Sequence, residues 1–519
     1  MKTRILLSMV HKSPRLRCLP SSNILDLVED VLVLILGSYC DVASVLALSQ
    51  TSKYLNRLAF SKTVWFSLVS TLVERHFIDS QPDDNSYLGV LSTEQLMGLM
   101  KRALQGPKTW QRAEPASAEN RFRPTLKLFK YFTQPPSCPP VESRRMVLHP
   151  EITPSPLPSN WSYWKYEHRA KLVPGGRYLL YQNYNYLECW SVFQNKLVWK
   201  QSTDDSTVSD FDAAWDEDNR LVIVVARNRD TQAFVEVHIL NLESKLSDRV
   251  LSSRVPHPEA WRRPVMHCAI RGDFVTVYLS YYPREVLLIN WRKRSRVMVV
   301  TGSILLCPGP YPSSAYQITL TPEHLILARA DHLAFSSLSL LFSFWESINE
   351  DDEPSSRIGV HDIFVDVIGT IPLKGYPADH RRVLWVFDSP LQRGQFRVWV
   401  HTNHNGLLRV CGYEYSIRGT RLSWRSLASF NIPGNSEWGV YPQEMSLYGH
   451  TITRDNVCEH RGFWDLSGTY SHGIFLPVNE RYPRRQDLGL APDFLRISTV
   501  GNGTLTYCTK QEVVVLYYD

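Results

Sequence analysis

Six apolar residues near the start of the chain, Val28, Val31, Leu32, Ile35, Leu36 and Tyr39, recur at helical intervals and make one continuous face. Val33 and Leu34 lie off that stripe, so the helix is apolar nearly all round, and such a helix is covered on both sides. In so small a unit, one side packs on neighbouring helices while the other needs a second protein surface. Asp26 followed by Glu29 reads as a capping box opening this helix. A second helix starts after Asp41 with Val45, Leu46 and Leu48. A third runs from about Thr51 with Tyr54, Leu55 and Leu58 inward. Ser61 or Thr63 opens a fourth holding Val64, Trp65, Leu68, Leu72 and Val73, continuing to about Phe77.

Beyond a polar turn at Gln81 to Ser86, Ser92 with Gln95 forms another capping box. The helix it opens has one face of Leu96, Leu99, Met100, Ala103 and Leu104, and Gly106-Pro107 ends it. From Gln111 to Pro158 prolines gather and basic residues outnumber acidic ones, the composition of a partly ordered linker.

The order Leu27-Val28-Glu29-Asp30-Val31-Leu32, then Ile35-Leu36, Tyr39, Asp41, Val45-Leu46-Ala47-Leu48-Ser49, Tyr54 and Trp65 resembles an F-box. Val28 stands where that motif usually has proline, and Cys40 where it usually has leucine. The helical piece after it, through Gly106-Pro107-Lys108-Thr109-Trp110, resembles the segment that follows the F-box in a group of fungal receptors. The resemblance implies docking on the Skp-type adaptor of a Skp–cullin–F-box ubiquitin ligase. The docking residues it implies are Leu27, Val28, Val31, Leu32, Ile35, Leu36, Tyr39, Leu46, Leu48, Tyr54, Leu58 and Trp65. Through the adaptor it implies cullin and RING subunits as further partners.

From about Lys171 onward, short runs rich in Val, Ile, Leu, Tyr and Trp alternate with turn residues, and no helix of convincing period intervenes. Runs such as Leu187–Trp190, Val235–His238, Val286–Trp291 and Leu341–Trp345 recur about 50 residues apart, the size of a four-stranded propeller blade. The expected fold is therefore α+β multidomain: an all-α F-box and helical stalk, then a large all-β domain, a six- or seven-bladed β-propeller. Its divisions are a basic disordered leader (1–23), the F-box (24–68), the stalk (69–110), a Pro-rich linker (111–166) and the β domain (167–519). The last strand, Glu512 to Tyr518, is expected to pair into the first blade. The acidic stretch Ser347 to Ser356 reads as a disordered loop off a blade.

The net charge of +6 over 519 residues makes no case for nucleic acid. Nine scattered cysteines without a C-x-x-C suggest neither a disulfide framework nor a zinc ribbon and fit a reducing compartment. No apolar run reaches the length of a membrane span. The expected location is cytoplasm or nucleus, with a mitochondrial alternative from the basic, acid-free leader. No hydrolase, metalloprotease or P-loop motif occurs, so no catalytic residue, metal or cofactor is expected. Asp210, Asp212, Asp216 and Asp218 read as carboxylates solvating an edge. For target recognition the candidates are Trp261, Arg262 and Trp438, because binding hot spots favour Trp and Arg. The expected role is a non-catalytic receptor holding a protein target for ubiquitination. A non-degradative F-box scaffold, or a propeller enzyme or carbohydrate binder, are the alternatives.

Overall fold

The computed structural model describes residues 27–79, 84–107, 142–150 and most of 169–518. Within that last range, 184–185, 203–205, 230–231, 257–265, 280–284, 301–317, 330, 351, 365–366, 374–381, 405–406, 434–440, 448–450, 456–470, 476–495, 501–502 and 510–511 are outside the description. Trp261, Arg262 and Trp438 fall there, as do the leader and most of the Pro-rich stretch.

Six helices come first: α1 (Glu29–Ser38), α2 (Val42–Ser49), α3 (Lys53–Ala59), α4 (Lys62–Glu74), α5 (Asp84–Val90) and α6 (Thr93–Gln105). None of the described helices is long and apolar enough to cross a membrane. Asp41 caps α2 through Ser44 N–H at 2.7 Å, and Ser92 with Gln95 forms the expected capping box on α6. The expected box on α1 differs. That helix begins at Glu29 with Val28 as its N-cap and no side-chain cap, which places Glu29 in the first turn rather than three residues in. Likewise α5 takes up Asp84 to Ser86, part of the expected polar turn.

The remaining described chain is almost all β, in seven sheets. Sheet 1 holds Arg169–Leu172, Tyr178–Asn183, Tyr186–Ser191 and Lys196–Ser202. Sheet 2 holds Ser206–Trp215, Leu221–Arg229, Gln232–Asn241 and Leu246–Val255. Sheet 3 is Met266–Arg271, Phe274–Leu279, Glu285–Asn290 and Ser295–Val300, with short additions at Glu346–Ser347 and Arg357–Gly359. Sheet 4 is Ile318–Leu320, His324–Ala328, His332–Ser337 and Gly369–Pro372. Sheet 5 is Arg382–Asp388, Gln395–His404, Leu407–Arg418 and Arg421–Pro433. Three strands, Tyr441–Met445, Thr451–Asp455 and Ser471–Phe475, form sheet 6. Sheet 7 is Arg496–Val500, Thr504–Cys508, Val513–Tyr518 and, on its outer edge, Glu142–Leu148.

Sheets 1 to 5, and sheet 7 with sheet 1, pack on one another through apolar faces. Leu180 and Cys189 of sheet 1 meet Phe211 and Ile223 of sheet 2; Val235 and Val237 of sheet 2 meet Val275 and Val277 of sheet 3. Leu288 and Val297 meet Leu325 and Ala334 between sheets 3 and 4, and Phe335 meets Val398 and Tyr415 between sheets 4 and 5. Sheet 6 lies against both sheets 5 and 7. Val515 and Tyr517 of sheet 7 then pack on Ala170 and Leu179 of sheet 1, which returns the series to its start. Every sheet stays open at its own edges, and the continuity lies between sheets. This arrangement is consistent with a β-propeller.

Three sequence expectations change here. The last strand does not pair into sheet 1. It pairs antiparallel with Glu142–Leu148, with Leu148 opposite Val513 and Met146 opposite Val515. That closing strand comes from the stretch read as linker. Its charge hid it: Arg145 pairs with Glu142 at 2.8 Å, and the Arg144 guanidinium lies 4.8 Å from the Phe193 ring. The acidic stretch 347–356, expected to be disordered, is tied down where it is described. The Glu346 carboxylate accepts from Ser355 N–H at 3.0 Å, Ser356 N–H at 2.9 Å and Arg296 at 2.9 Å, while Ile348 is buried. The run Leu341–Trp345 is also not a strand: Leu338–Phe344 is a 3-10 helix.

Candidate docking surface on the helical unit

The apolar stripe of α1 divides between two environments. Leu32 and Leu36 are 1% and 2% exposed and join Val45, Leu58, Val64, Trp65 and Leu68 in the helical core. Val28, Val31, Leu34 and Tyr39 are 68%, 42%, 57% and 81% exposed, and Leu27 just before the helix is 41% exposed. Leu34, which sequence periodicity set off the stripe, thus belongs with the outward group. A helix that is apolar all round can bury only one side in this bundle, and the remainder faces solvent.

Close approach of α1 to α4 fixes which side turns inward. Gly37 sits against Ser67, where an added Cβ would lie 3.0 Å from the Ser67 Cβ, and the Ser67 hydroxyl donates to Gly37 O at 2.7 Å. Of the docking residues implied by the F-box resemblance, Leu27, Val28, Val31 and Tyr39 are exposed. Ile35, Leu46, Leu48 and Tyr54 are half-buried, and Leu32, Leu36, Leu58 and Trp65 build the core. Acidic residues Glu29 and Asp30 open α1, and Glu29 pairs with Arg57 of α3 at 3.0 Å on the surface.

The inner side of the helical unit is anchored to the β region. Phe387, Leu391 and Leu447 pack against the helical core. Arg75, at the end of α4, donates to Ser389 O at 2.8 Å, and burial holds its guanidinium below its ordinary pKa. Arg102 of α6 donates to Tyr518 O, and Arg397 of sheet 5 donates back to Leu104 O at 3.4 Å. The His76 ring stacks on Trp215 at 4.6 Å. Asp79 lies flat against Gly176, whose φ of +70° and lack of a side chain admit the carboxyl: a Cβ there would stand 2.9 Å from it. Burial pushes the Asp79 carboxyl up to about 7, with Arg102 opposing, and lowers His76 to about 4, with Arg177 adding to the effect. The helical unit is therefore not tethered by residues 108–141 alone. Its position is set by specific contacts with sheets 1, 2, 5 and 7.

Of the four aspartates expected to solvate an edge, Asp218 is exposed and pairs with Arg220 at 2.9 Å, whereas Asp210 and Asp212 instead join sheets. Asp210 accepts Cys268 N–H at 3.1 Å and Asp212 accepts Ile270 N–H at 3.0 Å, both from the first strand of sheet 3. On the other side Asp210 pairs with Arg169 at 3.2 Å, and Asp212 pairs with Lys171, both from sheet 1. Burial disfavours the charged Asp210, but the His267 hydrogen bond and Arg169 outweigh it and bring the group down to about 2. Asp216 serves a turn, accepting Arg220 N–H at 2.8 Å.

No family model and no curated protein matches the chain. Among solved structures, the chain is similar to the WD40 domain of SCAP from fission yeast at 12% identity, with 67% of this chain and 84% of that one covered and a TM-score of 0.33. It is similar to the N-terminal domain of Nup159 at 9% identity, covering 73% and 98% with a TM-score of 0.33. The C-terminal WD40 domain of Sif2 is matched at 10% identity, covering 67% and 80%, with a TM-score of 0.30.

Proposed function

We propose that this protein is a non-catalytic receptor in which the helical unit is an F-box docking a Skp-type adaptor, and the β region, a seven-bladed propeller, holds a protein target for ubiquitination. The observation that carries the reading is the outward side of α1: Val28, Val31, Leu34 and Tyr39 remain exposed on a helix whose other side is packed and anchored. Exposed apolar residues grouped this way mark a protein contact. Cullin and RING subunits follow through the adaptor. The receptor does no bond chemistry; it raises the effective concentration of target lysines near a charged conjugating enzyme.

The test is co-purification of the full chain with a Skp-type adaptor, comparing the wild type with Val31→Lys, Leu34→Lys. Both positions are well exposed, so the variant folds, whereas a charge at Leu36 would unfold the bundle. Lysines buried in an apolar contact should weaken binding by well over about tenfold. A wild type that never retains the adaptor would sink the proposal; a variant that retains it fully would move the contact off α1.

A further inference from the structure

One short element of the β region leaves large apolar side chains in solvent. The 3-10 helix Leu338–Phe344 buries Leu338 and Leu341 but exposes Leu340 by 40%, Phe342 by 56% and Phe344 by 39%. Its footing is firm: the Ser337 hydroxyl accepts Ser339 N–H at 3.2 Å, and Trp345 packs on Phe274 with ring centroids 6.0 Å apart. Beside it, the turn of sheet 3 presents Arg292, Lys293 and Arg294, all exposed. Arg292 pairs with Asp273 at 2.6 Å and Arg294 with Glu350 at 3.7 Å. Lys293 has no carboxylate partner among the described residues, and its ammonium stands 5.1 Å from the Phe342 ring centroid.

We infer that this patch is a docking site for a protein segment that alternates apolar side chains with carboxylates. A carboxylate meeting Lys293 would set the neighbouring apolar residue of the segment over Phe342, because the cation and the ring are adjacent. Aromatic side chains next to a cation are the composition of interface hot spots. The same combination suits an anionic membrane surface, but Glu350, Asp352 and Glu353 are exposed on the stretch that follows the helix. A flat anionic surface would press against those carboxylates, whereas a narrow segment can avoid them. The site is independent of adaptor docking by α1.

The experiment is fluorescence anisotropy with the full chain and a labelled short peptide alternating glutamate with leucine and phenylalanine. The same peptide with lysine for glutamate is the control. Saturable binding of the glutamate peptide alone is expected. Phe342→Ser should weaken it at least about tenfold, and Lys293→Glu should remove it and transfer preference to the lysine peptide. Both residues are exposed, and a thermal melt of each variant confirms the fold. Absence of saturable binding, or affinity unchanged in both variants, overturns the inference. So does co-sedimentation with phosphatidylserine–phosphatidylcholine vesicles that depends on Phe342 while the peptide fails to bind.

Discussion

Replacing Arg75 by methionine removes the strongest link between α4 and sheet 5 while keeping the aliphatic stem. The wild-type guanidinium donates to Ser389 O at 2.8 Å and to Pro390 O at 3.5 Å, and it lies 4.7 Å from the Phe77 ring. A hydrogen bond from a charged donor contributes about 1.5–3 kcal/mol. The longer contact adds little, and the ring contact adds about 0.5–1 kcal/mol. The sum is about 2–4 kcal/mol lost at the seam. With a urea dependence of about 1–3 kcal/mol per molar, the midpoint of helical-unit unfolding should fall by about 1 M. Amide hydrogen exchange resolves this better than a global probe, since a chain of several packed units need not unfold in one step. Amides of α4 should lose protection while those of sheets 2 and 3 keep theirs. Equal protection of α4 in wild type and Arg75→Met would show that apolar contacts from Phe387, Leu391 and Leu447 alone set the seam.

Leu36→Ala should destabilise the helical unit by about 2–5 kcal/mol, because Leu36 is fully buried, whereas Leu34→Ala should stay within about 0.5 kcal/mol. Equal midpoints for the two in chemical denaturation would contradict the division of α1. At the seam, two groups titrate in opposite senses. Asp79, raised to about 7, makes the native state bind more protons than the unfolded chain between about pH 4 and 7, so its contribution is lost as pH rises through that window. His76, lowered to about 4, makes the native state bind fewer protons between about pH 4 and 6.5, so its contribution is lost as pH falls. The swings are at most about 4 and about 3 kcal/mol and largely cancel in the wild type. Asp79→Asn should therefore become more stable with rising pH from 4 to 6.5, and His76→Gln less stable, measured by denaturation midpoints. Parallel pH profiles for the two variants would refute the assignment.

Apolar periodicity and capping chemistry are local, and the sequence carries them. The helices after Asp41 and Ser92 form where their side-chain caps and apolar faces stand, and the helix after Ser61 forms on its apolar face without a side-chain cap. Some strands lack an unbroken apolar run because one face is polar. In Ser206–Trp215 and Met266–Arg271 the polar residues Asp210, Asp212 and His267 pair across sheets, while Val208, Phe211, Met266 and Ile270 between them bury apolar surface. The closing strand Glu142–Leu148 was hidden for the same reason. Of the candidate surface, the sequence determined that α1 is apolar all round and that one side lacks a local partner. Which side that is depended on Gly37 meeting Ser67, on Arg75 and Arg102 meeting carbonyls hundreds of positions away, and on Asp79 meeting Gly176. A helix period records which residues share a face, but the direction of that face is fixed by contacts between elements distant in the chain, and only the tertiary structure brings those together.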